Sequence, residues 1–212
     1  MTTTTIDLLD AWTPTMHPHL AVIGTPRSRA AATERILDRY IGDLDGQAVI
    51  ARDKGQPFPH RAESFETIAN QPEQIIRLLE QALQSLTRRY KVLEEDPTVR
   101  FRPYVVVLDG FEALDEAVGR DRTGRFHDYI GDIFSLGRAV SVHVLITALE
   151  PQLAFSMPRH GVSHVVVDGL DARGAVILGH HIDQHPPTPH GSAWFFAPSA
   201  APKVVSIDAE AR

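Results

Sequence analysis

The chain has 212 residues, which suits one domain, and its 43% hydrophobic and 23% charged residues are values typical of a soluble globular protein. The formal net charge of −6 argues against a free-standing DNA-binding module, which would carry a basic face. The absence of cysteine excludes disulfides, thiol catalysis and thiolate metal sites, and it agrees with a cytoplasmic protein.

Residues 1–18 are predicted to form an N-terminal extension, followed by one domain over residues 19–212. Residues 1–10 lack the basic and apolar stretches of a signal peptide, and the longest apolar runs of the chain have the length of strands. Such runs are too short to cross a bilayer. We therefore expect a cytoplasmic protein that associates with a membrane only through partners.

Short apolar runs alternate with amphipathic segments along the domain. Continuous apolar runs are typical of strands buried on both faces of a parallel sheet. The predicted strands are His19–Ile23, Gln47–Ala51, Tyr104–Leu108, Val140–Ala148 and Val162–Val167, and Ala193–Phe196 with Lys203–Ile207 is predicted to form a closing β-hairpin. The predicted helices are Ala30–Tyr40, Gln71–Leu93, Arg125–Leu136 and Ala172–Leu178, with a charged loop at 119–124. This order predicts a three-layer α/β domain, in which helices cover both faces of a mainly parallel sheet.

A degenerate phosphate loop follows the first predicted strand, at the edge of the sheet where ligands of such folds bind. A P-loop has the pattern G-x-x-x-x-G-K-[ST] between a strand and a helix. Counted from Gly24, the chain has Arg29, Ala30 and Ala31 where the pattern requires glycine, lysine and a hydroxyl residue. Alanine neither neutralises phosphate charge nor binds Mg²⁺. The residues left as candidates for weak phosphate binding are Gly24, Thr25, Arg27, Ser28 and Arg29. The structural alternative is a tight turn with solvated arginines.

Asp109 ends the apolar run Tyr104–Leu108, in the position of a Walker B acid. Motor ATPases place a catalytic glutamate directly after this acid, but the chain has Gly110 there, and Glu112 lies two residues further on. We therefore expect neither autonomous ATP hydrolysis nor a bound cofactor, and no catalytic residue beyond Asp109 as a remnant. Binding of ATP and Mg²⁺ through non-standard residues is the alternative, and capping of a loop or helix is the structural interpretation of Asp109.

Six segments, in chain order, resemble the FtsK/SpoIIIE family of RecA-like P-loop motor domains. They are His19–Thr25 (Walker A strand), Asp53–Gly55, Thr87–Leu93 (Arg-Arg-Tyr helix), Pro103–Leu114 (Walker B run), Leu136–Pro151, and Asp171–Gly179 (Asp-x-Arg and Ile-Leu-Gly). Leu178–Phe195 also resembles the Pro-Pro…Gly ending of EccC-type secretion ATPase domains. The departures from the family fall on the nucleotide chemistry while the framework is kept, which is the pattern of a pseudo-ATPase.

The resemblance implies ring-forming motors that move double-stranded DNA in division, sporulation and plasmid transfer, and a related branch in type VII secretion. It implies partners of three kinds: related ATPase domains in a homo- or hetero-oligomeric ring, double-stranded DNA, or a secreted protein. It also makes Arg173 a candidate for a contact across a ring interface with a neighbour's nucleotide, and a structural salt bridge is the alternative interpretation. Three functions follow: a non-catalytic domain of a DNA-translocation or plasmid-transfer system acting by docking or ring assembly, a degenerate secretion-motor domain that binds protein, or a weak ATPase with non-standard residues.

Two further groups of residues have side chains suited to binding. A histidine group with Asp183 lies in a proline-rich segment, but its spacing fits no metal pattern, so no metal site is predicted. Its members are His180, His181, His185 and His190. Arg88, Arg89 and Lys91 lie on a predicted helix and are candidates for DNA phosphate contacts, with a solvated helix face as the alternative.

Overall fold

The computed structural model describes residues 5–52, 65, 67–151, 162–167, 188–198 and 200–208, with the backbone alone at 120–123. The strands are β1 (Ile6–Asp7), β2 (His19–Ile23), β3 (Gln47–Arg52), β4 (Thr67–Ala69), β5 (Tyr104–Asp109), β6 (Val142–Ala148), β7 (Val162–Val166), β8 (Ser192–Phe196) and β9 (Lys203–Ser206). The helices are α1 (Leu8–Ala11), α2 (Pro26–Asp38), α3 (Pro72–Glu95) and α4 (Phe111–Leu136), with a π-helical turn at Arg39–Asp43 and a 3-10 turn at Gly137–Val140.

Within the described ranges, these strands form one sheet in the order β1-β9-β8-β7-β2-β6-β5-β3-β4. Neighbouring strands run parallel except in the β7–β8 and β8–β9 pairs. Strand β2 lies between β6 and β7, so the turn that follows it sits in the middle of the carboxyl edge. The prediction of a mainly parallel α/β sheet with a C-terminal β-hairpin is confirmed.

The two faces of the sheet are covered by different helices. On β5, Val106 and Leu108 lie in a core with residues of α3 and α4, whereas Val105 and Val107 lie in a second core with residues of α1 and α2. This alternation follows from the period of two in a strand, and it explains why β5 is apolar throughout. The three-layer arrangement predicted from the sequence is therefore present.

Part of the predicted N-terminal extension belongs to this architecture. Strand β1 pairs in parallel with β9, and Leu8 and Trp12 are fully buried in the second core. Arg35 of α2 donates two hydrogen bonds of 2.8 Å to the Asp7 carboxylate and a third, of 3.2 Å, to the Ser206 carbonyl. These contacts join the first strand, the last strand and α2.

Helix α4 differs from its prediction. Residues 111–118 are helical, so the prediction of a helix that begins only at Arg125 is wrong. Residues 119–124, predicted as a loop, have a helical backbone but lie where the direction of the helix changes. The Phe111 and Phe126 rings lie 5.5 Å apart, although a straight helix would separate residues fifteen positions apart by roughly 22 Å. His127 Nε2 also lies 2.8 Å from Asp115 Oδ1. The helical segment therefore folds back on itself between Asp115 and Phe126, which allows both phenylalanines to enter one core.

The other predicted strands and helices that are described begin and end within two residues of their observed bounds, except at the start of α2. The predicted helix Ala172–Leu178 lies outside the described residues. Among the helices that are described, none combines the length and the apolar character that spanning a membrane requires.

Candidate functional site at the carboxyl edge

The turn after β2 is much shorter than a phosphate loop. Strand β2 ends at Ile23, Thr25 is the N-cap of α2, and Pro26 is the first helical residue. The sequence prediction, which placed a loop over residues 24–29 and the helix from Ala30, is wrong at this point. A threonine N-cap followed by proline is a strong helix-start signal, because proline has no N–H to leave unsatisfied in the first turn. Only Gly24 and Thr25 remain between strand and helix, too few to wrap a phosphate group.

The hydroxyl groups predicted to contact phosphate cap the helix. Thr25 Oγ1 accepts the Ser28 N–H at 3.4 Å and lies 2.8 Å from Ser28 Oγ, and Ser28 Oγ donates to the Thr25 carbonyl at 3.0 Å. Arg27 is exposed. These three residues line an open groove of about 580 Å³, together with Thr188, His190 and Asp208. They are thus separated from the other candidates, which lie in the interior.

Arg29 is buried and forms an ion pair with Asp109. Its Nη2 lies 3.6 Å from Asp109 Oδ1, and the two side chains are only 5% and 7% exposed. Its Nη1 donates to the Gly24 carbonyl at 3.2 Å. The structure therefore brings together Gly24, Arg29 and Asp109. Arg29 makes both contacts, and it stands where the P-loop pattern has its second glycine.

Thr147 completes the environment of Asp109. It lies beside Asp109 in the β5–β6 register, and its hydroxyl donates to Asp109 Oδ1 at 2.5 Å while accepting the Gly110 N–H at 2.9 Å. No sequence motif identifies this residue as a partner of Asp109. The available signal was that Thr147 and Asp109 are polar residues near the carboxyl ends of two long apolar strands.

Glu112 has a structural role at the same edge. Its Oε1 accepts the N–H groups of Leu149 and Glu150 at 2.6 and 3.2 Å, so it holds the chain that leaves β6. Gly110, in the position of the catalytic glutamate, adopts a left-handed conformation with φ of 71° as the N-cap of α4. Neither residue presents a carboxylate that is free to polarise an attacking water.

The charges at this edge balance one another. Burial lowers the pKa of the Arg29 guanidinium, and the carboxylates of Asp109 and Glu112 oppose that effect. Arginine in proteins nevertheless stays protonated, so Asp109 faces a permanent cation. In an active site of this type, the acid orients Mg²⁺ while a lysine and a hydroxyl bind the triphosphate and metal. The residues present do not fit Mg²⁺–ATP bound in that manner, because the acid is engaged and the loop, lysine and hydroxyl ligand are missing.

Several predicted binding residues lie outside the described residues. They are Arg173, the segments Asp53–Gly55 and Asp171–Gly179, and the histidines at 180, 181 and 185. In the parts of the chain that are described, no group of three or more side chains is arranged to bind a metal ion.

Comparison of the chain with known proteins finds similarity in structure alone. No protein-family model and no curated protein sequence matches it. The pCW3 conjugation coupling protein TcpA, in its monomer form with ATPγS, superposes with a TM-score of 0.73 at 17% identity, over 92% of this chain and 62% of TcpA.

Two secretion proteins are also similar. The cytoplasmic domain of the Thermomonospora curvata type VII secretion ATPase EccC gives a TM-score of 0.61 at 17% identity, over 90% of this chain and 25% of EccC. The cytoplasmic domain of EssC gives 0.64 at 13% identity, over 92% of this chain and 40% of EssC. The chain thus spans less than two thirds of each of these proteins. The strand order, the parallel sheet and these superpositions together assign the chain the RecA-like fold of FtsK/SpoIIIE-type motor domains.

Proposed function

We propose that the chain is a non-catalytic RecA-like domain of a DNA-translocation or plasmid-transfer system, and that it acts by docking or ring assembly. The observation that carries this proposal is the buried Arg29–Asp109 ion pair. Arg29 is positioned for this pair because α2 begins only two residues after the end of β2. Similarity in fold to a conjugation coupling protein supports the choice of system.

The ion pair suggests how such a domain differs from an active subunit. A ligand shifts a conformational equilibrium only if it binds one state better than the other. In the proposed domain, the cation beside Asp109 is part of the chain and is never released. The carboxyl edge would therefore keep one arrangement while neighbouring ATPase domains of the ring pass through their nucleotide cycle.

Nucleotide binding is the direct test of this proposal. We expect a fluorescent ATP analogue with Mg²⁺ to show no saturable binding to the wild-type chain, under conditions in which TcpA serves as the positive control. Arg29→Ala and the matched surface variant Arg27→Ala should both leave this result unchanged. Saturable binding that Arg29→Ala abolishes and Arg27→Ala preserves would overturn the proposal, and it would favour a weak ATPase in which Arg29 replaces the lysine.

A degenerate domain of a type VII secretion motor is the second candidate. It is favoured by the similarity to EccC and EssC, and one related structure, with a TM-score of 0.65, is of EccC ATPases 2 and 3 in complex with a signal sequence peptide. Binding of this chain to a DNA duplex in a mobility-shift assay would support the first candidate. Capture of a helical secreted substrate without DNA binding would support the second.

The proposed partners are related ATPase domains, in a ring of one or more kinds of subunit. We propose a cytoplasmic location, with membrane association only through such partners. Sedimentation velocity of the chain alone, and then with a related ATPase, tests the ring: a complex larger than either component is expected, and independent sedimentation at high concentration would contradict it.

A further inference from the structure

A second concave surface lies at the amino edge of the sheet, on the side opposite the ion pair. It has a volume of about 870 Å³ and is bounded by segments that lead into β5 and β6 and by residues preceding β2. This volume is within the range of roughly 300–1,000 Å³ typical of ligand sites. We name it the amino-edge cavity. None of the sequence motifs discussed above identifies it as a binding site.

Basic side chains surround the amino-edge cavity. Arg100, Arg102 and Arg138 line it and are exposed, and the described lining residues include no aspartate or glutamate. The Arg102–Asp45 pair is 72% and 74% exposed, so it is open to exchange with another carboxylate at little cost. This local positive charge contrasts with the net charge of −6 for the whole chain.

Arg89 makes the wall of the cavity rigid. Its Nη1 donates to the carbonyls of Arg102, Val140 and Ser141 at 2.9, 2.9 and 3.1 Å, which ties together the segments before β5 and β6. Its guanidinium also lies 5.3 Å from the centre of the Phe101 ring. Arg89 is therefore a structural residue and does not belong to a solvated helix face. Because its bonds fix the rim, less ordering is required when a ligand binds.

The cavity also offers apolar surface to a ligand. Phe101 is half-buried and Leu136 is 46% exposed, so both present apolar area to a ligand. Tyr90 lines the same wall and donates to the Leu136 carbonyl at 2.8 Å, which fixes the end of α4. His143 lies in the wall at 4% exposure, and its Nδ1 has no partner among the described residues.

We propose that the amino-edge cavity docks an acidic peptide segment of a partner protein, with its carboxylates on Arg100, Arg102 and Arg138 and an apolar side chain against Phe101 and Leu136. Arginine binds carboxylates through paired hydrogen bonds. The arginines come from two separate segments, so an extended ligand with several carboxylates engages them better than one small anion. A peptide also carries apolar side chains for Phe101 and Leu136, which a nucleic-acid backbone lacks, and it is narrow enough to enter a concave site. This inference does not depend on the state of the Arg29–Asp109 pair.

Fluorescence anisotropy with short labelled peptides tests the proposal. The probe is a peptide in which glutamate alternates with leucine, and the controls replace glutamate by glutamine or by lysine. We expect saturable binding of the acidic probe and not of the two control peptides. The affinity for the acidic probe should fall by about tenfold or more in the double variant Arg102→Glu/Arg138→Glu. Arg77→Glu, an exposed site near the other end of α3, serves as the matched charge control and should change the affinity less than about twofold.

Three outcomes would overturn the proposal. They are equal binding of the glutamine peptide, equal weakening by Arg77→Glu, and competition by a DNA duplex that displaces the acidic probe at lower concentration than unlabelled probe does. Arg138→Gln alone provides a milder variant if the double variant unfolds on heating earlier than the wild type. It should still weaken binding by about threefold or more, and unchanged affinity in this variant would also contradict the proposal.

Discussion

The two edges of the sheet differ in whether their charged side chains are buried or exposed. At the carboxyl edge, Arg29 and Asp109 are almost fully buried and satisfy each other, with Thr147 as a third partner. At the amino edge, the arginines around the cavity are exposed, whereas His19 and His143 are buried in the interior. The edge that carries the motor-domain motifs is therefore closed by internal contacts, and the edge without such motifs keeps groups available for binding. Resemblance to a family indicates which edge carries the motifs, whereas the pairing of side chains shows which groups are available for binding.

Breaking the ion pair is expected to have the largest effect. Arg29→Met leaves the Asp109 charge buried without its partner, which should lower the free energy of unfolding by about 3–5 kcal/mol. The double variant Arg29→Met/Asp109→Leu removes both charges and should recover most of that loss. Urea unfolding measures both.

The matched surface control is Arg39→Met, which breaks the exposed pair with Asp43. It should cost only about 0.5 kcal/mol. If Arg29→Met costs no more than Arg39→Met, the carboxyl edge is not held by its ion pair and the contrast between the edges fails.

Acid sensitivity at the amino edge should be the next largest effect when it is expressed per pH unit. Burial, together with nearby charged groups, lowers the pKa of His19 to about 3 and that of His143 to about 4, from the ordinary histidine value of 6.5. The neighbouring His143 also lowers the pKa of His19, and Arg89 also lowers the pKa of His143, while the backbone at Phe134 and at Pro18 opposes these shifts. Both rings are therefore neutral in the folded protein at pH 7.

The free energy of unfolding should therefore fall as the pH is lowered. Because the unfolded chain takes up protons near pH 6.5 and the folded chain does not, stability is complete above that pH and declines as pH falls toward about 4. Each histidine should contribute about 1.4 kcal/mol per pH unit, or about 3 kcal/mol per unit for the pair. Urea unfolding at several pH values should show this slope, reduced by about half in His143→Phe. The exposed control His190→Gln should keep the full slope, and a His143→Phe slope equal to that of the wild type would refute the assignment.

Restoring the missing Walker B glutamate is expected to have the smallest effect. A Cβ at Gly110 meets no atom within 4 Å, so the cost of Gly110→Glu arises from its left-handed backbone and should be about 1–2 kcal/mol in urea unfolding. ATP turnover should not appear, because Asp109 is still paired with Arg29. Gly110→Asn should cost less, since asparagine tolerates this conformation better. ATP hydrolysis by the Gly110→Glu variant would mean that the Arg29–Asp109 pair separates and leaves Asp109 free to act.

Much of the framework follows from local pattern, and the errors have identifiable physical causes. Strand β2 was predicted at its observed bounds because an apolar run ending in glycine is a local signal. The start of α2 was missed because residues 24–31 were compared with a phosphate loop, although Thr25-Pro26 is itself a helix-start signal. The fold-back within α4 depends on the shared burial of Phe111 and Phe126, which no local pattern contains.

The partners within the candidate site were the least predictable part. Arg29 and Asp109 were each identified from the sequence, but as separate remnants of a nucleotide site. Their pairing, and the hydroxyl of Thr147 between β5 and β6, depends on strand register and on the short turn after β2. The arginines of the amino-edge cavity come from segments that are distant in sequence, so their proximity also required the fold.

The pairing of β1 with β9 has a consequence for the order of folding. Ile6 lies opposite Val205, so the contact that completes this edge of the sheet joins nearly the first described residue to nearly the last. Closing so long a loop is slow compared with forming local contacts. During synthesis, β1 has no strand to join until β9 has left the ribosome. The central strands can assemble earlier, and the edge is completed only after almost the whole described chain has been made.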